Sequence, residues 1–338
     1  MKSALEIRRG ILFGLLTIAV VVLFVCDLTS GSVGVGGREV WALLTGGPCD
    51  PMARDIILKI RLIKAVVAVL AGFSLAASGL LMQTLFRNPL AGPFVLGISS
   101  GASLGVALFL LGAPLLGIAG HSLLASIGTA GAAWVGSALI LLLIMAVSRR
   151  IKDIMVILIL GMMFGSAVGA LVEILQYMSN EAALKSFVVW TMGSLGDVTF
   201  PQLMLFVPAV AVGVGLTFAV LKPLNLLLLG ERYARTMGLN VGRTRTLILL
   251  ATTLLSGTVT AFCGPIGFVG LAVPHLARML FASADHRVLM PASMLLGASM
   301  LLVCDLCSKQ LALPVNTLTA LMGIPIVVWV VVRNKNIV

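Results

Sequence analysis

Few residues of this 338-residue chain have types and spacing suited to making or breaking bonds. Its three histidines form no His-Glu-x-x-His arrangement. It has no Gly-Lys dipeptide, and so no phosphate loop of the GxxxxGK(S/T) kind. Leu255-Ser256-Gly257 imitates the start of an ATPase signature but lies inside an apolar run, out of reach of nucleotide. Of the five cysteines, Cys26 and Cys49 are candidates for pairing, while Cys304 and Cys307 share a helix face and read as small buried apolar residues. The notable acids, Glu173 and Asp305, fall near the ends of apolar runs. A mid-membrane acid costs about 2.5–3.5 kcal/mol and marks a proton relay, whereas one near an interface gives such a mechanism little support. No nucleophile, base or metal-ligand cluster emerges, and the chain reads as non-catalytic with no metal of its own.

Two groups of polar residues remain. The longest basic segment between apolar runs covers about 222–245 and contains Glu231, Ala234, Gly238, Leu239, Asn240 and Gly242. Residues 231–237 are long enough for two helical turns, and Gly238, lacking a Cβ, suits a left-handed cap. This predicts a compact knob, with a lipid-surface helix as the alternative. The second group is basic: Arg61 and Lys64 lie three apart on one helix face, and Lys309 lies near the last loop. Snorkelling to lipid headgroups is the plain reading of such charges.

The elements that must carry these groups follow from composition. Apolar residues make up 60% and charged residues 10%, and the mean hydropathy is +1.15. A soluble fold of this size still exposes about a quarter of its unfolded surface, so much of the apolar excess faces lipid. Ten candidate spans emerge: 11–26, 62–85, 94–111, 123–147, 154–176, 203–221, 247–263, 266–281, 289–304 and 318–332. The charged start followed by an apolar run imitates a signal peptide but lacks a small-residue cleavage site, which predicts an uncleaved first span. Placing both termini in the cytoplasm puts 16 of the 23 Lys and Arg inside, an excess that sets orientation. That distribution also explains the net charge of +11 without nucleic acid, because no basic stripe exists. Four of the seven outside exceptions cluster between Arg54 and Lys64.

Three runs carry small residues every fourth position: Gly97, Gly101, Gly105; Gly128, Ala132, Gly136; and Gly161, Gly165, Gly169. Such faces allow close helix contact, and the third also suits a path or moving joint. Ser78-Gly79 before Gly92-Pro93 is echoed by Ser256-Gly257 before Gly264-Pro265, in the manner of inverted repeats with interrupted helices.

Glu231-x-x-Ala234-x-x-x-Gly238 resembles the coupling-loop motif of ABC importer permeases. Further blocks are similar to the FecCD-type branch, which imports iron-siderophores, haem and cobalamin, over essentially the whole chain. They are Ser78-Gly79-x-x-x-Gln83, Arg87-Asn88-Pro89-Leu90-Ala91, Trp190-x-x-Gly193-Ser194, Gly267-Phe268-Val269-Gly270-Leu271-x-x-Pro274-His275-x-x-Arg278, Asp285-His286-Arg287 and Leu313-Pro314-Val315. The resemblance implies an all-α membrane protein with one transmembrane domain over 1–338, of ten spans, in the bacterial cytoplasmic (inner) membrane. It also implies a homodimer around a central path, two separate ABC ATPase subunits holding ATP and Mg, and a periplasmic binding protein. Glu231, Ala234, Gly238, Leu239, Asn240 and Gly242 would then engage the ATPase. Gly161, Gly165, Ser166 and Gly169 would line the path, and Arg61, Lys64 and Lys309 would meet acidic groups of the binding protein. The chain departs from the family where Lys64 stands for Arg, Gly92 for Asp and Asn316 for Gly. An ion-gradient-driven transporter is the alternative, and His275 is read as structural at a broken helix.

Overall fold

In hydrocarbon every backbone polar group must be satisfied within the protein, so long apolar runs become helices. The computed structural model describes residues 2–31, 34, 36–112, 122–151 and 153–333. Among them there is no strand. Helix α1 (Lys2–Thr29) is followed by short α2 (Gly37–Thr45) and α3 (Pro51–Ile56). A π-helical turn over Ile57–Arg61 joins α3 to α4 (Leu62–Phe86). Beyond a 3-10 turn (Pro93–Leu96) come α5 (Ile98–Ala107), α6 (Ser122–Arg150), α7 (Ile154–Met178), α8 (Glu181–Thr191) and α9 (Phe200–Ala219). Two short helices, α10 (Leu221–Leu228) and α11 (Glu231–Thr236), precede α12 (Val241–Cys263), α13 (Val269–Phe281), α14 (His286–Leu311) and α15 (Val315–Arg333).

Each of the ten expected runs overlaps a helix, though 266–281 begins in a break before Val269. Among the described residues seven helices are long and apolar enough to cross a membrane, and Ile98–Gly112, Val269–Phe281 and Val315–Val330 are shorter. Burial sorts them into centre and periphery. The most apolar windows of α4 and α12 are 78% buried and that of α14 is 67%, against 11% for α1 and 17% for α7. On α1 the exposed Ile7, Ile11, Leu15, Ile18, Val22 and Val25 recur every three or four residues, which is a lipid-facing stripe. The basic Lys152 and Lys335, assigned to the cytoplasmic side by charge, lie outside the described residues.

Two of the three small-residue faces meet each other. A Cβ on Gly105 would land on the Ala132 carbonyl, and one on Gly136 would land on the Gly101 carbonyl, so α5 and α6 touch backbone to backbone. The same holds for Gly72 of α4 with Gly297 of α14, and for Gly79 of α4 with Gly270 of α13. Gly79 of the first echoed stretch thus packs on Gly270, just past the end of the second. The third face divides. Gly161 packs on Val95 and Leu96 and Gly165 on Gly97 and Ser100, while a Cβ on Gly169 would meet no described atom within 4 Å. Ser166 is exposed and donates to the Met162 carbonyl at 3.1 Å.

These contacts set a stability contrast. Gly79→Ala forces α4 and α13 apart and is expected to cost about 1–3 kcal/mol. Gly169→Ala, on the same kind of helix, is expected to stay within about 0.5 kcal/mol of wild type. Thermal unfolding of both variants in one detergent decides between them; equal melting temperatures would show that the close approach carries no weight.

Candidate functional sites at the two ends of the bundle

Lys64 and Thr84 stand at opposite ends of α4, roughly 30 Å apart at the helical rise. The polar side chains named by sequence gather around these two ends.

At the Thr84 end, the expected knob is present. Gly230 (φ 115°) turns the chain out of α10, and Gly238 (φ 84°) turns it out of α11. Both need the positive φ that glycine adopts without a Cβ penalty. The Gly238 and Leu239 amides donate to the Arg235 and Ala234 carbonyls at 3.0 Å each, closing the helix end. Asn240 caps α12, its Oδ1 accepting from the Arg243 amide at 3.0 Å. Ala234 is fully buried and seats the helix rather than presenting it. Glu231 accepts from Arg245 at 3.1 Å and faces Arg235 at 3.4 Å, so it ties α11 to α12. Exposed Tyr233 and Met237 form the outward surface, with Gly238 and Asn240 beside them. Between the knob and the end of α6, a groove of about 520 Å³ is lined by Ser148, Arg235, Asn240 and Gly242 among others. Arg87 reaches across to donate to the Leu227 carbonyl at 2.9 Å, fastening α10 to the end of α4.

The broken helices sit beside this end. Gln83 donates to the Leu271 carbonyl at 3.1 Å and accepts from Arg278 at 2.7 Å. His275 Nε2 lies 2.7 Å from the Pro89 carbonyl oxygen, the structural role expected of it. At the far end, the Ser194 amide donates to the Cys263 carbonyl at 2.8 Å, docking the loop after α8 onto the α12–α13 break. Asn316, a departure from the family pattern, accepts from the Gly267 amide at 3.0 Å and so holds the same break.

At the Lys64 end the expected exposed charges are turned inward. Arg61 is 4% exposed and donates to the Leu28 and Thr29 carbonyls at 2.9 and 3.1 Å, at the negative end of α1. Lys309 contacts Asp27 Oδ1 at 2.7 Å and Asp305 Oδ2 at 3.0 Å, and Lys64 contacts Asp305 Oδ1 at 2.9 Å. Both acids are fully buried, and the lysine side chains are 11% and 20% exposed. The Asp305 oxygens receive the ammonium groups as charge contacts, off the directions of good hydrogen bonds. Four charges that sum to zero thus join α1, α4 and α14. The reason is the local medium: a charge with little water around it must be paired. Sequence reading missed Asp27, whose signal was a lone acid in the last turn of an otherwise apolar run. All five cysteines are free thiols, so Cys26 and Cys49 are not bonded here, and Cys304 is buried against Met322.

Lys309→Met leaves buried Asp27 without a cation and Asp305 with Lys64 alone. It is expected to lower stability by about 3–5 kcal/mol, the range for breaking a buried pair. Adding Asp27→Asn removes the orphaned charge and is expected to restore part of the loss. Denaturant unfolding of the single and double variants measures this; strictly additive losses would show that the two residues do not interact.

The fold and both ends invite comparison with known proteins. Residues 18–333 match the family model described as the FecCD transport family. A haemin transport system permease protein of Yersinia pestis is 36% identical over 339 residues, covering 98% of each chain. A molybdate import system permease protein of Haemophilus influenzae is 34% identical, covering 94% of this chain and 93% of its own. A solved inward-facing metal-chelate type ABC transporter superposes with a TM-score of 0.83 at 31% identity, covering 96% of this chain and 99% of that one. The chain belongs to the FecCD transport family of membrane permeases.

Proposed function

We propose that this chain is the permease subunit of an ATP-driven importer that moves a metal chelate inward across the bacterial cytoplasmic membrane. An iron-siderophore is the first choice of cargo, with haem and cobalamin behind it. In this reading the chain makes ten spans with both termini in the cytoplasm. Two copies enclose the path, with Ser166 and Gly169 of α7 facing it. ATP and Mg belong to two partner ATPase subunits, and an external binding protein delivers the solute.

The observation that carries the reading is the α11 knob. It is a folded projection, seated by Ala234, braced by Glu231 on Arg245 and ending in exposed Tyr233 and Met237. A firmly attached knob with an open face suits a rigid-body switch driven from outside the membrane. The gradient-driven alternative asks for acids free to carry protons within the membrane. Asp27 and Asp305 are buried, but they stand at the helix ends in contact with Lys64 and Lys309.

The docking role expected of Arg61, Lys64 and Lys309 takes a narrower form. Arg61 is occupied with α1, so an acidic partner would engage the lysines, Lys64 being the more exposed.

The test is uptake into vesicles holding this chain, its partner ATPase and the binding protein, with haemin, a ferric siderophore, cobalamin and molybdate as probes. Import of at least one probe should require hydrolysable ATP and stop with a non-hydrolysable analogue. Uptake driven by an imposed ion gradient alone would sink the proposal. Glu231→Arg and Gly238→Leu are expected to lower import by roughly tenfold or more, the size of a lost coupling of about 1.4 kcal/mol, while ATP hydrolysis continues. Wild-type import in both variants would show that the knob is not the ATPase contact.

A further inference from the structure

Asp285-His286-Arg287 has no task in the transport reading so far. Asp285 caps α14, accepting from the Arg287 amide at 2.9 Å. That bond, with the Asn225 amide and nearby cationic groups, holds its carboxyl below the usual carboxylate range. His286 begins α14 and is 1% exposed. Its ring is held from two other helices. Nδ1 lies 2.7 Å from Asn225 Oδ1 on α10, and Nε2 lies 2.7 Å from Thr84 Oγ1 on α4.

The hydrogens of this chain of contacts are fixed by elimination. The Asp285 carboxylate only accepts, so the Asn225 group at 2.6 Å from it is the amide nitrogen. Asn225 Oδ1 is then the end that faces His286, where it accepts from the His286 backbone amide at 2.9 Å. Because that oxygen only accepts, Nδ1 of His286 carries a hydrogen and donates to it. The Thr84 hydroxyl can turn to Nε2 or to the Leu80 carbonyl at 2.9 Å, so it adapts where Asn225 does not.

We propose that His286 and Asn225 are positioning residues that carry movement of the ATPase-facing knob into α14 and α4. The inference rests on the coupling role proposed for that knob. The physical case is attachment. α10 leads directly into the knob, and its side of the bundle is fastened at Asn225 to α14 and at the Leu227 carbonyl to Arg87 at the end of α4. The two helices so grasped are also among the most deeply buried, and they pack backbone to backbone at Gly72 and Gly297. A push on α10 therefore reaches the centre of the bundle without crossing a flexible segment.

The experiment is hydrogen–deuterium exchange on the full chain assembled with its ATPase, free and trapped with ATP and vanadate. Wild type should change exchange in α11 and also around residues 84–87 and 286–290. In Asn225→Leu and His286→Gln the α11 change should persist while the change at 286–290 falls by about twofold to thirtyfold. Gln places its amide nitrogen near Nε2 and loses the side-chain bond to Asn225, keeping only the backbone one; Asn places one near Nδ1 and keeps both. His286→Asn should therefore restore most of the α14 change, which a purely structural role would not predict. An undiminished α14 response in Asn225→Leu and His286→Gln, or equal losses in His286→Asn and His286→Gln, overturns the inference. No nucleotide-dependent change in wild-type α11 overturns the coupling reading itself, and this inference with it.

Discussion

Everything in this bundle depends on how closely α4 can approach its neighbours. In lipid, apolar side chains gain little by leaving hydrocarbon tails for one another, so association rests on dispersion contacts and close fit. Gly72 against Gly297 and Gly79 against Gly270 bring backbones together where any Cβ would intrude. That proximity lets Gln83 reach the Leu271 carbonyl and puts Pro93 against Gly270, so the interrupted helices are held at their breaks. A bundle joined through carbonyls and glycines has little slack, and a displacement at one end has few places to dissipate before the other.

The charged links between helices described above lie toward the ends. Between them α4 contributes Ser74 and Ser78, each bonded to a carbonyl of its own helix and adding nothing across helices. At the ends the polar groups reach between helices: Lys309 to Asp27 on one side, Arg87 to Leu227 and His286 to Asn225 on the other. In the proposed coupling, the middle of the bundle would transmit mainly by shape and the ends by hydrogen bonds and charge. This division matches what the membrane tolerates, since a polar link costs least near an interface and most at the midplane.

The helices and the knob were legible in sequence because their signals are local: apolar runs of span length, a helical septet and a glycine after it. The small-residue stripes were legible as close-contact faces, but not which faces would meet. That Gly101 and Gly105 pair with Ala132 and Gly136, and that Gly161 and Gly165 pack while Gly169 opens, depends on tertiary placement. The charged end was least legible. Arg61, Lys64 and Lys309 announced themselves by breaking the charge rule, but apart from Asp305, four residues before Lys309, the groups they meet lie far along the chain. Asp27 is separated from Lys309 by 282 residues, and spacing rules reach only a few turns.

The inward turn of those cations changes how the proposed docking at that end would work. A free surface lysine meets a partner's carboxylate with a modest gain, about 1 kcal/mol or less. Lys64 and Lys309 already hold Asp305 and Asp27, so a partner's acid has to replace an internal acid or share its lysine. Replacement leaves a buried carboxylate unpaired, at a cost of several kcal/mol unless α1 or α14 shifts to relieve it. Net affinity from such an exchange is small. Its consequence is displacement of the outer ends of α1 and α14, so charge at this end is better suited to setting register and shifting conformation than to holding a partner tightly.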